Sequence, residues 1–121
     1  MKFENVFIPY GGYWSSPFVR WQGTLANVHP ITLAAQTTLC ALQNRNIAAD
    51  TFAALFLGMT VPQKNSFYGG PWLAALIGAP GITGPVLSQA CATGARDRIG
   101  GRGDTSGRGT SDPGCHAGSL Q

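Results

Sequence analysis

Gly84-Pro85-Val86-Leu87-Ser88-Gln89-Ala90-Cys91-Ala92-Thr93-Gly94-Ala95 is the stretch on which the reading of this chain turns. Val86-Leu87 is a short apolar run that predicts the end of a buried strand, and the small residues after it are ones from which a helix can start. Cys91 then falls where a strand would turn into a helix. A thiol at such a point meets unpaired backbone N–H groups and the positive end of the helix dipole, and both favour the thiolate form. The thiolate is the nucleophile, so the position suits covalent chemistry on a thioester or another activated carbonyl. Ala90, Ala92 and Gly94 leave room for a substrate to come close. A lone cysteine in an apolar stretch is otherwise an inert packing residue; the strand, cysteine, small-residue context favours the nucleophile.

Upstream, the pattern predicts elements that would place this turn at the carboxyl end of a sheet strand. Val6-Phe7-Ile8 is a β-prone run ahead of Pro9 and Gly11-Gly12, and predicts a first strand. Tyr10 to Pro30 reads as a long loop whose aromatic residues (Tyr10, Tyr13, Trp14, Phe18, Trp21) are expected to pack over the domain or against a second subunit. Arg20 in that loop reads as a solvated or carboxylate-paired side chain rather than an anion site. Pro30 suits a helix's first turn, and Ile31, Ala34, Ala35, Thr38, Leu39 and Leu42 recur at helical spacing to about Arg45. Cys40, inside that helix, is expected to be a small buried hydrophobe, and His29 just before it to be structural. Asp50 is placed to cap a short turn through Phe52. Ala54-Leu55-Phe56-Leu57-Gly58-Met59 predicts a strand buried on both faces. After a loop from Thr60 to Gly70, Pro71 is expected to open a short helix that ends at Gly78. The alternation is an α/β pattern with a parallel component, and ligand sites in such sheets lie at strand carboxyl ends, where Cys91 falls.

Composition narrows the function classes. With 121 residues, one domain is expected, and 44% hydrophobic content is globular. A net charge of +3 leaves no footprint for nucleic acid or an anionic membrane. Cys40, Cys91 and Cys115 are odd in number and widely spaced, which fits neither a disulfide framework nor a paired-cysteine metal site, so no metal is expected and a reducing compartment is. No uninterrupted apolar leader core or spanning run is present, and the reading is of a soluble, cytoplasmic chain.

From about Asn5 to Arg96 the chain resembles the thiolase superfamily, in particular the acetyl-CoA acetyltransferase-like acyl-CoA C-acyltransferases. Gln89-Ala90-Cys91-Ala92-Thr93-Gly94-Ala95-Arg96 is similar to the family's nucleophile segment. Arg20-Trp21-Gln22-Gly23-Thr24-Leu25 and Leu57-Gly58-Met59 are similar to its early loop and its strand-ending glycine. The resemblance implies that Cys91 carries an acyl group as a thioester. It implies coenzyme A thioesters as substrates, no permanently bound cofactor, and homo-oligomers of the full-length family. The implied fold class is α/β: the N-terminal portion of the first half of a layered α/β/α/β/α arrangement, over residues 1–96. The family also uses a histidine in a Gly-His-Pro segment and a second cysteine in a Cys-x-Gly segment. Neither segment occurs in these 121 residues, and Cys115-His116-Ala117-Gly118 matches neither. The second half of the fold, with most of the coenzyme A pocket, is thus expected to be missing and the chain alone to be inactive.

Residues 97–121 contain no aromatic side chain and run as Asp97-Arg98-Ile99-Gly100-Gly101-Arg102-Gly103-Asp104 into further glycine and serine, a composition expected to be disordered. Arginine and glycine codons share G in second place, so a frame moved by one base yields codons for Ala, Val, Asp, Glu or Gly. One allowed choice restores an alanine-rich helix followed by a strand, and a shifted reading frame after Arg96 is the expectation. Two other readings stand beside the acyltransferase. One is a non-enzymatic truncated fragment; the other is a ketoacyl-synthase-like or non-thiolytic relative that needs a partner subunit.

Overall fold

A computed structural model of the chain describes residues 9–95. The strand expected at Val6-Phe7-Ile8, the tail, Cys115 and His116 lie outside the described residues. Among those described, two α-helices and two strands form a small mixed α/β unit. Helix α1 spans Pro30–Asn44, strand β1 Leu57–Gly58, helix α2 Gly69–Leu76 and strand β2 Val86–Leu87, with single 3-10 turns at Ala49–Thr51 and Ala90–Ala92. No helix among the described residues is long and apolar enough to cross a membrane.

Helix α1 starts where the proline predicts. Pro30 supplies a preset φ and lacks the N–H that a first turn leaves orphaned. His29 is the cap, its Nδ1 accepting from the Ile31 N–H at 3.2 Å. That bond fixes the tautomer, so Nε2 carries the proton and donates to the Lys64 carbonyl at 2.8 Å. Both ring nitrogens are therefore occupied in joining α1 to the loop before α2. The buried stripe of α1 is Ile31, Ala34, Ala35, Thr38, Ala41 and Leu42. Cys40 is exposed, contrary to expectation. It belongs to the neighbouring helical stripe of Leu33, Gln36, Thr37 and Asn44, which lines a groove on the helix's outer side.

Strands β1 and β2 pair in parallel, Leu57 with Val86 and Gly58 with Leu87, and α2 lies in the connection between them. The ladder extends upstream through a parallel bridge of Ala54 with Thr83. Leu55, Leu57 and Met59 donate in turn to the carbonyls of Thr83, Pro85 and Leu87 at 3.1, 3.1 and 2.9 Å. Leu55, Phe56, Leu57 and Gly58 are buried, as the apolar run predicts. β2 is not: Val86 is exposed and Leu87 half-buried, because no described element covers the outer face of this second strand.

The core is the seam where both helices meet β1. Ile31, Ala34 and Ala35 of α1 join Leu55, Leu57, Leu73, Ala74, Ile77, Ala79 and Ile82 in one cluster. Leu73 is 0% exposed, and its burial is worth about 1.5–3 kcal/mol. α2 begins at Gly69, two residues ahead of the expected Pro71, which sits within the first turn instead. A side chain at Gly69 would stand 2.7 Å from Leu57 Cδ2 and 3.0 Å from Ile31 Cδ1, so glycine is what lets α2 start against the core. Gly78, at φ +84, follows its C-terminal end. The turn near Asp50 forms, but its cap position is Ala48 and Asp50 lies within the turn. Of the two placements expected for the loop aromatics, packing over the domain holds for one ring. Tyr10, Tyr13, Phe18 and Trp21 are exposed on this chain, and only Trp14 of that set is half-buried.

Candidate active site

Cys91 sits just past the carboxyl end of β2, in the 3-10 turn Ala90–Ala92, and its side chain is exposed. The backbone then becomes helical at Thr93, with φ −54° and ψ −49°, and remains so to Ala95. The strand-to-helix turn expected from the sequence is thus present, reached through one tight 3-10 step.

Two features shape that turn. Thr93 is only 2% exposed; its Oγ1 accepts from the Gln89 N–H at 2.9 Å and donates to the Ala90 carbonyl at 2.8 Å. One hydroxyl therefore ties both residues before Cys91 to the first of the helical residues 93–95. The Ala92 N–H closes the turn on the Gln89 carbonyl at 3.0 Å. Ala90 has φ +47, a left-handed conformation that costs an L-residue about 1–2 kcal/mol. The other non-glycine residues with positive φ among those described are Gln22, Asn46 and Asn65. Asparagine tolerates that region well, and alanine has no side-chain hydrogen bond to offset it. Backbone strain of this kind persists where surrounding structure over-determines it, and it concentrates at functional sites.

Gly84 sets the position of the whole segment. A Cβ there would overlap the Leu55 carbonyl, so β2 approaches β1 this closely only with glycine at 84. Cys91 and its small neighbours stand out in the sequence; Thr93 does not. The usable signal was a threonine four residues after Gln89, a spacing at which a hydroxyl commonly bonds the local backbone.

His29 is held by its two hydrogen bonds and tilts against Trp72 at 4.8 Å between ring centroids. It keeps the structural role expected of it. Among the described residues no group of three or more His, Cys, Asp or Glu side chains comes together. Arg20 is exposed, and its carbonyl closes a turn with the Gly23 N–H at 2.8 Å. What the turn offers chemically is a solvent-facing thiol on a backbone fixed from both sides. No protein-family model, curated protein or solved structure matches the chain.

Proposed function

We propose that this chain carries the nucleophile segment of a thiolase-type acyl-CoA C-acyltransferase, with Cys91 as the acyl carrier. The observation that supports this most directly is the turn itself: an exposed thiol four residues past a parallel strand, next to a left-handed Ala90, in a turn tied by the buried Thr93 hydroxyl. In the proposed step the Cys91 thiolate attacks the carbonyl carbon of an acyl-CoA. A carbon–sulfur bond forms, the bond to coenzyme A breaks, and the departing thiolate takes a proton from water. The acyl group then rests on Sγ as a thioester, ready for a carbon nucleophile or for coenzyme A.

Turnover needs a general base, which contributes about 10²–10⁴-fold to such chemistry. These 121 residues contain no Gly-His-Pro segment to supply it, and His29 is committed to its cap. The chain alone is therefore expected to acylate without cycling. The test uses Cys40 as an internal control, since both thiols are exposed. Iodoacetamide at neutral pH should label Cys91 ahead of Cys40, and acetyl-CoA should leave an acetyl group on Cys91 with release of coenzyme A. Labelling of Cys91 no faster than Cys40, together with no acetyl transfer, would end this reading.

The ketoacyl-synthase-like and non-thiolytic alternatives share the Cys91 step and differ in the acceptor. A non-enzymatic module is favoured by one separate observation, the exposed rings of Tyr10, Phe18, Trp21 and Phe67. It predicts an inert Cys91.

A further inference from the structure

The start of α1 rests on a histidine that works there only without a charge. His29 Nδ1 accepts from the Ile31 N–H at 3.2 Å, and Nε2 donates to the Lys64 carbonyl at 2.8 Å. A carbonyl only accepts and an amide N–H only donates, so the two bonds together require the neutral ring with its proton on Nε2. The imidazolium is a donor at both nitrogens. It keeps the bond to Lys64 and turns an N–H toward the Ile31 N–H. Ile31 is 2% exposed, so its amide has little water to take the place of the lost acceptor. The position is also a joint. Ile31 belongs to the core cluster, and its Cδ1 is one of the atoms that leave no room for a side chain at Gly69, where α2 begins.

The groups around the ring do little to favour a charge. α1 has no acidic residue in its first turn, and its N-terminal end is the positive end of its dipole. The loop that supplies the carbonyl brings a cation, Lys64, and the phenol of Tyr68. α2, which meets the ring through Trp72, has no charged residue. Among the described residues the one carboxylate is Asp50, in the 3-10 turn that follows the other end of α1. The Trp72 ring, 4.8 Å from the imidazole and tilted by 43°, is the single counterweight. A cation–π gain there is smaller than the cost of a buried donor without a partner.

We propose that His29 makes the junction of α1 with α2 acid-sensitive, held while the ring is neutral and weakened when the ring takes a proton. The ligand is the proton itself, and the sign follows from the bonds. Protonation removes an acceptor that only the folded chain depends on, since the unfolded chain has water in its place. Stability is therefore complete on the alkaline side of histidine's range and falls as the pH falls through it, from about pH 8 to about pH 5. Carboxyl groups ordinarily titrate below that window and thiols near or above its top, which leaves the change to the imidazole.

Denaturant titrations of the full chain at about pH 8 and about pH 5 read the effect. The parent is compared with His29→Asn, both carrying His116→Gln so that position 29 alone can hold a histidine. Asparagine is a strong N-cap whose side-chain oxygen accepts at either pH. The folded-to-unfolded ratio of the parent should fall about tenfold from the higher pH to the lower, the factor for one buried donor that loses its partner. The ratio of His29→Asn should hold. A parent that also holds, or an asparagine variant that falls as far, would overturn the acid-sensitive cap. Should the asparagine variant fail to fold, ring ¹⁵N NMR on the His116→Gln chain decides. A neutral ring protonated at Nε2 alone, with an Ile31 amide proton that shifts as the ring titrates, supports the cap. A mixture of tautomers, or an Ile31 amide that does not respond, overturns it.

Discussion

The body made by α1, β1 and α2 and the segment from β2 to Cys91 are built on opposite terms. The body is held by apolar burial: ten side chains converge on one seam, and the helices approach β1 closely enough that Gly69 has no room for a side chain. The Cys91 segment buries little. Val86 is 38% exposed, Cys91 is exposed, and the turn's order comes from the Thr93 hydroxyl and a strained Ala90. The burial that holds the fold and the candidate site are thus carried by different residues, joined by a short parallel ladder that leaves no room for a side chain at Gly84. A change in the body should act on everything; loss of the turn's polar ties should act on the thiol and less on the body.

The largest effect is expected from Leu73→Ala. Removing a fully buried leucine typically costs about 2–5 kcal/mol, enough to unfold many small domains. Denaturant titration followed by tryptophan fluorescence should show the midpoint collapse, with Cys91 and Cys40 labelling at the same unfolded-state rate. A Leu73→Ala protein that keeps its midpoint would remove the burial side of the contrast. Gly84→Ala comes next and strikes the joint between the two regions. Its methyl would overlap the Leu55 carbonyl, and forced overpacking costs about 1–3 kcal/mol. Amide exchange at Leu57 and Met59, which donate across the ladder, should accelerate before α1 and α2 lose protection. Equal acceleration everywhere would mean that the two regions unfold as one unit.

The same division governs what was legible in the sequence. α1 declares itself, because Pro30 marks its start and the stripe from Ile31 to Leu42 repeats at helical spacing. The parallel strands are also legible, as an apolar run and a Val-Leu pair, and so is the placing of Cys91 after the second of them. Three features were not. Cys40 shares its helix with the buried stripe, and only the exact rotation of that helix turns it outward. The loop aromatics look like packing residues by composition, but composition does not say whether a ring packs on its own chain, and of that set only Trp14 is half-buried here. Thr93 was hidden because its role is a local backbone bond, which leaves no trace in hydrophobic periodicity. Periodicity reports burial; it is silent on polar ties, and the candidate site is built from polar ties.

Thr93→Val tests the polar ties of the turn directly. Valine keeps the buried shape and removes both hydrogen bonds, each worth about 0.5–1.5 kcal/mol net. The denaturant midpoint should fall by less than in Leu73→Ala while Cys91 labelling changes rate. Thr93→Ser, which retains the hydroxyl, should restore the original labelling. If valine lowers the midpoint as far as Leu73→Ala does, the turn belongs to the cooperative body after all.

Ala90→Gly is the smallest expected effect and the only one of opposite sign. Glycine adopts a left-handed φ freely, which removes the 1–2 kcal/mol or so that alanine bears at φ +47. Against this, glycine gives the unfolded chain more freedom, a cost of about 0.4–1 kcal/mol. The balance is a gain of between zero and about 1.6 kcal/mol, visible as a slight rise in midpoint in a paired titration. Cys91 labelling should hold steady, because the Thr93 bonds to Gln89 and Ala90 use backbone groups that the substitution retains. The sign carries the information. At an ordinary right-handed position the same change can only destabilise, so a fall in midpoint would show that Ala90 does not hold its left-handed backbone in solution. The thiol would then sit on a relaxed turn, and the contrast with the body would rest on the Thr93 bonds alone.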